Sequence, residues 1–112
     1  MTPETRLKIQ IRKAVNRIDV KRVRIVANVV GLMYDERGTP RRVGLGKGSA
    51  DFVGIAFGVP LALEIKTPKG RVSREQPIWG RAFEALGGRY AVVRSVHEAT
   101  EFVLAARTRV SA

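Results

Sequence analysis

The sequence contains no cysteine and a single histidine, His97. Disulfide cross-links and thiolate metal sites are therefore excluded, and so is a zinc hydrolase that relies on several histidine ligands. His97 falls in the first turn of a predicted helix, where we expect a surface position. No apolar run approaches the roughly 18 residues of a membrane span, and residues 1–4 lack the basic and apolar segments that open a signal peptide. We expect a cytoplasmic protein.

Acidic residues are scarce relative to basic ones: 10 Asp and Glu stand against 21 Lys and Arg, which leaves a formal charge of +11. Residues 1–50 hold 12 basic and 4 acidic groups, whereas residues 51–112 hold 9 and 6. Such a charge attracts polyanions and indicates nucleic acid, although a solvated basic surface without a specific partner would carry it too. With 112 residues, 45% of them hydrophobic, the chain fits one domain over residues 1–112.

Apolar periodicity and turn residues predict seven elements in the order α-β-β-β-α-β-α, an α/β domain with a mixed β-sheet flanked by helices. A Thr-Pro start opens an amphipathic helix over residues 3–19, in which Glu4 shares the apolar face. A strand rich in Val and Ile over residues 23–33 leads into a mobile basic loop over residues 35–49.

The middle of the chain predicts an antiparallel hairpin. Its two apolar segments cover residues 51–57 and 61–67, and a Gly-Val-Pro turn over residues 58–60 joins them. The elements after the hairpin are a helix over residues 74–86, a strand over residues 89–94 and a final helix that starts after Ser95.

Three charged residues converge when the chain folds back at this hairpin. Asp51 starts one strand and comes to lie next to Glu64 and Lys66, which share one face of the other strand. The two carboxylates and the backbone carbonyl of Ile65 are oxygen ligands of the kind that Mg²⁺ prefers. Lys66 could orient or deprotonate a water and offset negative charge, so the set suits metal-assisted phosphodiester hydrolysis. A surface ion pair is the alternative for a Glu-X-Lys sequence alone.

Three segments resemble the virus-type replication-repair nuclease (VRR-NUC) domain of the PD-(D/E)XK nuclease superfamily. They are Gly-Ser-Ala-Asp at residues 48–51, Glu-Ile-Lys at residues 64–66 and Gly-Arg-Val-Ser-Arg-Glu-Gln at residues 70–76. The resemblance covers most of the chain, from Asn28 to Val103. It implies a restriction-endonuclease-like core that uses Mg²⁺ or Mn²⁺.

The resemblance also implies roles for particular residues. Asp51 and Glu64 would bind the metal, Lys66 would be the catalytic lysine and Gln76 a further active-site residue. Glu4 would match the acidic residue that many of these nucleases carry on the first helix, as an additional metal ligand. From the residues themselves two alternatives stay open, because Gln76 also fits an ordinary helix cap and Glu4 also fits a favourable charge at a helix N-terminus.

Small stand-alone members of this group resemble phage proteins that act as homodimers on branched DNA. We therefore expect a homodimeric, metal-dependent DNA endonuclease acting on four-way junctions or flaps. A non-catalytic DNA-binding module with the nuclease fold is the first alternative, and a basic structural protein is the second. Basic residues on either side of the predicted site are the expected phosphate contacts: Arg41, Arg42, Lys47, Lys69, Arg71 and Arg74.

Overall fold

Four helices and six strands follow one another in a computed structural model that describes residues 1–110. In chain order they are α1 (Pro3–Asn16), β1 (Val23–Ala27), β2 (Gly31–Tyr34), β3 (Pro40–Val43), β4 (Phe52–Ala56), β5 (Val59–Ile65), α2 (Glu75–Ala85), β6 (Arg89–Val93), α3 (Val96–Leu104) and α4 (Ala106–Val110). The strands form a four-stranded sheet in the order β1-β4-β5-β6 and a separate two-stranded sheet of β2 and β3. Within residues 1–110, no helix has the length and apolarity needed to cross a membrane.

The four-stranded sheet is mixed. Strand β4 runs antiparallel to both β1 and β5, and β6 pairs with β5 in parallel after the crossover through α2. One face of β5 presents Leu61, Leu63 and Ile65, none of which is exposed, to the core shared with Ile11 and Val15 of α1. The prediction of an α/β domain with a mixed sheet flanked by helices is confirmed.

The opposite face of β5 and β6 carries Glu64 and is partly covered by α2. Tyr90 of β6 lies beside Ala62 in the register of the two strands. The Tyr90 ring packs directly on Gly80 of α2, where a Cβ atom would overlap the ring. This close packing of the helix on the sheet explains why Ala62 and Glu64 are buried although they lie outside the main core.

The hairpin between β4 and β5 turns at Phe57 and Gly58, so the predicted Gly-Val-Pro turn is wrong. Their φ angles of +53° and +81° are those of a two-residue type I′ loop. The register pairs Ala56 with Val59, which makes Pro60 a strand residue. A proline fits there because β6 pairs with β5 only from the next residue onwards, so no partner strand needs its missing N–H.

The predicted strand over residues 23–33 and the predicted loop over residues 35–49 are also wrong. Strand β1 ends at Ala27, and β2 and β3 pair with each other as a hairpin that lies outside the main sheet. The apolar residues after Ala27 suggested a continuous buried strand, but most of their side chains are exposed. The order of elements is therefore α-β-β-β-β-β-α-β-α-α rather than the predicted one.

Helix ends differ from the predictions for local reasons. Helix α1 ends three residues early because the Asn16 side chain turns to β1, where it accepts from the Ile25 N–H at 2.8 Å and donates to the Ile25 carbonyl at 3.1 Å. The last helix starts as predicted, with the Ser95 hydroxyl accepting from the Glu98 N–H at 3.0 Å. It is interrupted at Ala105, which separates α3 from α4.

We expect Gly54→Ala to lower the free energy of unfolding by about 3 kcal/mol. Gly54 lies in β4, where a Cβ atom would collide with the Arg24 carbonyl and come within 2.7 Å of the Ile25 Cα. These are main-chain atoms of β1 and cannot rotate away. Thermal and urea unfolding measure the effect. Gly70→Ala is the control, since its Cβ would meet the nearest atoms at 3.3 Å; equal stability of the two variants would contradict the prediction.

Candidate active site

The predicted convergence of Asp51 and Glu64 is present at one end of the β4–β5 hairpin. Asp51 precedes β4, and its Oδ2 accepts from the Ile65 N–H at 2.8 Å. Its main-chain carbonyl accepts from the Asn28 N–H, also at 2.8 Å. The carboxylate therefore takes the place that a further β4 residue would occupy beside β5, which holds it in a defined position.

Glu64 is the most deeply buried ionisable side chain of the site, with 3% exposure. Its Oε2 is buried and has no hydrogen-bond partner among the described residues. Burial, followed by a hydrogen bond with Asp51 and the charge of Asp51, raises the pKa of Glu64 to about 8, although the charges of Lys66 and Lys8 act in the opposite direction. Glu64 therefore favours its protonated form near neutral pH.

Lys8 is a residue of this site that sequence reasoning missed. Its Nζ lies 3.2 Å from Asp51 Oδ1 and 3.7 Å from Glu4 Oε2. Burial opposes the charge of Lys8, but the charge and hydrogen bond of Asp51 and the charges of Glu4 and Glu64 raise its pKa overall. The i,i+4 spacing of Glu4 and Lys8 was the available signal. Nothing local placed this pair beside Asp51, which is 43 residues further along the chain.

The structure places Glu4 at the edge of the site. Its side chain is 42% exposed, and the ammonium group of Lys8 lies between it and Asp51. Within residues 1–110, no three His, Asp or Glu side chains come together as a metal-binding group. The role of Glu4 as a metal ligand stays a prediction.

Lys66 follows β5 and is partly buried. Its N–H donates to the Val93 carbonyl of β6 at 3.1 Å. Neighbouring residues of a strand point their main-chain groups to opposite sides, so the N–H and carbonyl of Ile65 point away from β6 and towards Asp51. The predicted carbonyl ligand thus lies on the same side as the Asp51 carboxylate.

These donors fit a hard divalent cation. Glu64 Oε2 is a buried carboxyl oxygen without a protein donor, and the charged form of such a group requires a counter-charge. Asp51 and the Ile65 carbonyl supply further oxygen atoms, and Mg²⁺ commonly completes its six ligands with water and phosphate. The set is all oxygen, as Mg²⁺ and Mn²⁺ favour.

Gln76 is buried, with 9% exposure, and caps the start of α2 from within. Its Oε1 accepts from the Ser73 N–H at 2.8 Å. This is the contact expected of an ordinary helix cap, but the N-cap residue is Arg74, and its side chain makes no capping hydrogen bond. Gln76 therefore has a structural partner, and its role in the active site stays a prediction.

Two further residues near the site were not found from the sequence. Arg94 Nη1 donates to the carbonyls of Thr67, at 2.7 Å, and Gly70, at 2.8 Å, and so holds the segment that follows Lys66. The Tyr90 hydroxyl is buried and without a partner among the described residues. Burial, followed by the charges of Glu64 and Asp51, raises its pKa to about 12. Both residues lie in or just after β6, and the parallel pairing with β5 brings them to the site.

The six predicted phosphate contacts are all exposed. Two of them form surface ion pairs: Arg41 with Asp35 at 3.3 Å and Lys47 with Glu75 at 3.5 Å. Exposed pairs of this kind are weak and exchange readily for other anions. The remaining four are Arg42, Lys69, Arg71 and Arg74.

The site therefore combines two carboxyl groups, a main-chain carbonyl and two lysines at one end of a buried hairpin. The pKa values of Glu64, Lys8 and Tyr90 are all raised, and such shifts are common where a protein binds an ion or performs acid–base chemistry. Neither a comparison with protein-family models nor one with curated proteins finds a match for this chain.

Proposed function

We propose that this protein is a metal-dependent deoxyribonuclease of the VRR-NUC type within the PD-(D/E)XK superfamily. The observation that carries the proposal is the buried, unpartnered Glu64 Oε2 next to Asp51, with Lys66 two residues further along. A buried carboxyl oxygen without a hydrogen-bond partner, beside a second carboxyl group, is costly in a protein that has no use for it. A divalent cation would replace the proton of Glu64 and compensate the charges of both groups.

The order of the elements supports the same family. When the β2–β3 hairpin is left out, the chain from α1 to α3 runs α-β-β-β-α-β-α, the order expected for a restriction-endonuclease-like core. The hairpin is then an insertion between the first and second strands of the core. The segment with Asp51 and the segment with Glu64 and Lys66 occupy neighbouring strands, as the resemblance implies.

In this proposal Asp51, Glu64 and the Ile65 carbonyl hold Mg²⁺ or Mn²⁺. When bound, the ion lowers the pKa of a water and offsets the charge that develops on the phosphate. Lys66 orients the attacking water and contributes positive charge next to the scissile phosphate. Lys8 fixes the orientation of the Asp51 carboxylate through the 3.2 Å contact with Oδ1.

The proposed substrate is DNA, because the chain carries a formal charge of +11 and exposed arginines and lysines near the site. Contacts of this kind hold the phosphate backbone and do not read sequence. We further propose a homodimer that acts on four-way junctions or flaps, since a twofold axis would present two such sites to two strands.

The test is cleavage of labelled duplex, single-stranded, flap and four-way-junction DNA with Mg²⁺, Mn²⁺ or EDTA. We expect cutting that requires the metal and favours branched DNA, from a protein whose mass in solution is that of a dimer. Salt-sensitive DNA binding without cutting under any condition would favour a non-catalytic DNA-binding module instead. If the protein showed neither cutting nor salt-sensitive binding, a basic structural protein would be the remaining alternative. A monomer under cleavage conditions would overturn the dimer.

A further inference from the structure

The β2–β3 arm, residues 28–44, exposes apolar side chains of the kind that are normally buried against another element of the fold. Its strands pair only with each other, and the exposed fractions of Leu32, Met33 and Tyr34 are 54%, 53% and 69%. A two-stranded hairpin is marginally stable in water without a surface to pack on. Clustered exposed apolar groups of this kind indicate a binding surface.

The arm places basic groups beside these apolar ones. The register pairs Leu32 with Arg42 and Met33 with Arg41, so each of the two faces carries an apolar side chain next to an arginine. Tyr34 lies on the same face as Leu32, at the end of β2. An exposed aromatic ring and a guanidinium group on one face of a hairpin are a combination that binds an unstacked base and a phosphate.

Asn28 ties the root of the arm to the candidate active site. Its main-chain N–H donates to the Asp51 carbonyl at 2.8 Å. Its side-chain Nδ2 donates to Ser49 Oγ and to the Ala50 carbonyl, each at 2.8 Å, and its Oδ1 accepts from the Leu45 N–H at 3.2 Å. Asn28 thus joins the two ends of the arm. It also fixes them to Ala50 and to Asp51, the proposed metal ligand.

We propose that the β2–β3 arm binds unstacked bases of the DNA that is cut at the candidate active site, with Tyr34 stacking on a base and Arg42 contacting a phosphate. This inference rests on the proposed nuclease function and narrows the substrate to DNA with unpaired or distorted bases. Charge complementarity favours DNA as the occupant, because the chain carries a formal charge of +11 and the arginines opposite Leu32 and Met33 are both exposed. Apolar side chains inserted at a base step are a known way to hold such DNA.

The experiment measures equilibrium binding in EDTA, where no metal-dependent cleavage occurs, to flap DNA with a single-stranded arm and to a fully paired duplex of the same length. We expect Tyr34→Ala to weaken flap binding about tenfold and duplex binding much less. Tyr34→Phe keeps the ring and should retain the affinity of the unmutated protein. Arg42→Ala should weaken binding to both DNAs and lower the slope of log affinity against log salt by about 1, whereas Tyr34→Ala should leave that slope unchanged.

Val20→Ala is the matched control. Val20 is 73% exposed and precedes β1 at the end away from Asp51, so its removal should change neither affinity. Equal weakening of flap and duplex binding by Tyr34→Ala, or no weakening at all, would overturn the proposal. So would a Tyr34→Ala variant that binds DNA normally but changes from dimer to monomer, because the arm would then cover a second copy. Absence of cleavage with metal, together with a Tyr34-dependent flap preference in EDTA, would refute the nuclease and leave the arm as a DNA-binding element.

Discussion

Lys66→Ala is expected to slow metal-dependent DNA cleavage by about 10²- to 10⁴-fold and to leave DNA affinity within about twofold of the unmutated protein. Lys66 is the only lysine or arginine that follows β5 directly beside Glu64, and its charge lowers the pKa of that carboxyl group. Its loss removes the group that orients the water, whereas the phosphate backbone keeps its other contacts. Single-turnover cleavage with Mn²⁺ and binding in EDTA measure the two effects separately.

Lys21→Ala is the matched control for this prediction. Lys21 is exposed and lies just before β1, at the end of that strand that is away from Asp51. The Lys21→Ala variant should therefore cleave DNA at the rate of the unmutated protein. An equal loss of cleavage in both variants would point to general charge rather than to chemistry at Lys66. Undiminished cleavage by Lys66→Ala would remove Lys66 from the proposed mechanism.

The meeting of Asp51 with Glu64 could be predicted from the sequence because it depends on one hairpin. The loop length and the alternation of side chains decide which residues of neighbouring strands meet. The predicted turn began one residue too late and ended two residues too late, and the register ends with Phe52 opposite Leu63, next to the two carboxylates. A local pairing of this kind tolerates a small error in the turn.

The contacts that depend on distant parts of the chain could not be predicted in the same way. Lys8 reaches Asp51 only because α1 packs on the sheet, and Arg94 reaches Thr67 only because β6 joins β5 in parallel. Hydrophobic periodicity shows which face of an element is buried but not which element covers it.

The β2–β3 arm was missed for a different reason. Its apolar residues resemble those of a buried strand, and a single sequence does not distinguish side chains that face a core from those left exposed. No glycine or proline stands at Asn28 itself; the nearest, Gly31, lies at the start of β2. The role of Asn28 becomes clear only from its bonds to residues 45–51.

Glu64→Gln is expected to remove a loss of stability that the metal-free protein suffers as the pH rises. Glu64 is ordinarily ionised above pH 4.5, but burial and Asp51 raise its pKa to about 8 in the folded protein. Between these two values the unfolded chain has released a proton that the folded protein keeps, so the free energy of unfolding falls with increasing pH. The loss is complete above pH 8 and amounts to at most about 5 kcal/mol. A neutral glutamine has no such dependence.

The measurement is thermal unfolding from pH 5 to pH 9 in EDTA, with and without added Mg²⁺ or Mn²⁺. At pH 8.5 without metal the Glu64→Gln variant should melt above the unmutated protein, and the difference should be lost at pH 5. Added metal should stabilise the unmutated protein increasingly as the pH approaches 8, because the ion replaces the proton of Glu64, and should stabilise the variant little. Glu84→Gln, at an exposed position of α2, is the control and should follow the unmutated protein throughout. If metal stabilised Glu64→Gln as strongly as the unmutated protein, Glu64 could not be a ligand. The proposed metal site at this hairpin would then be refuted.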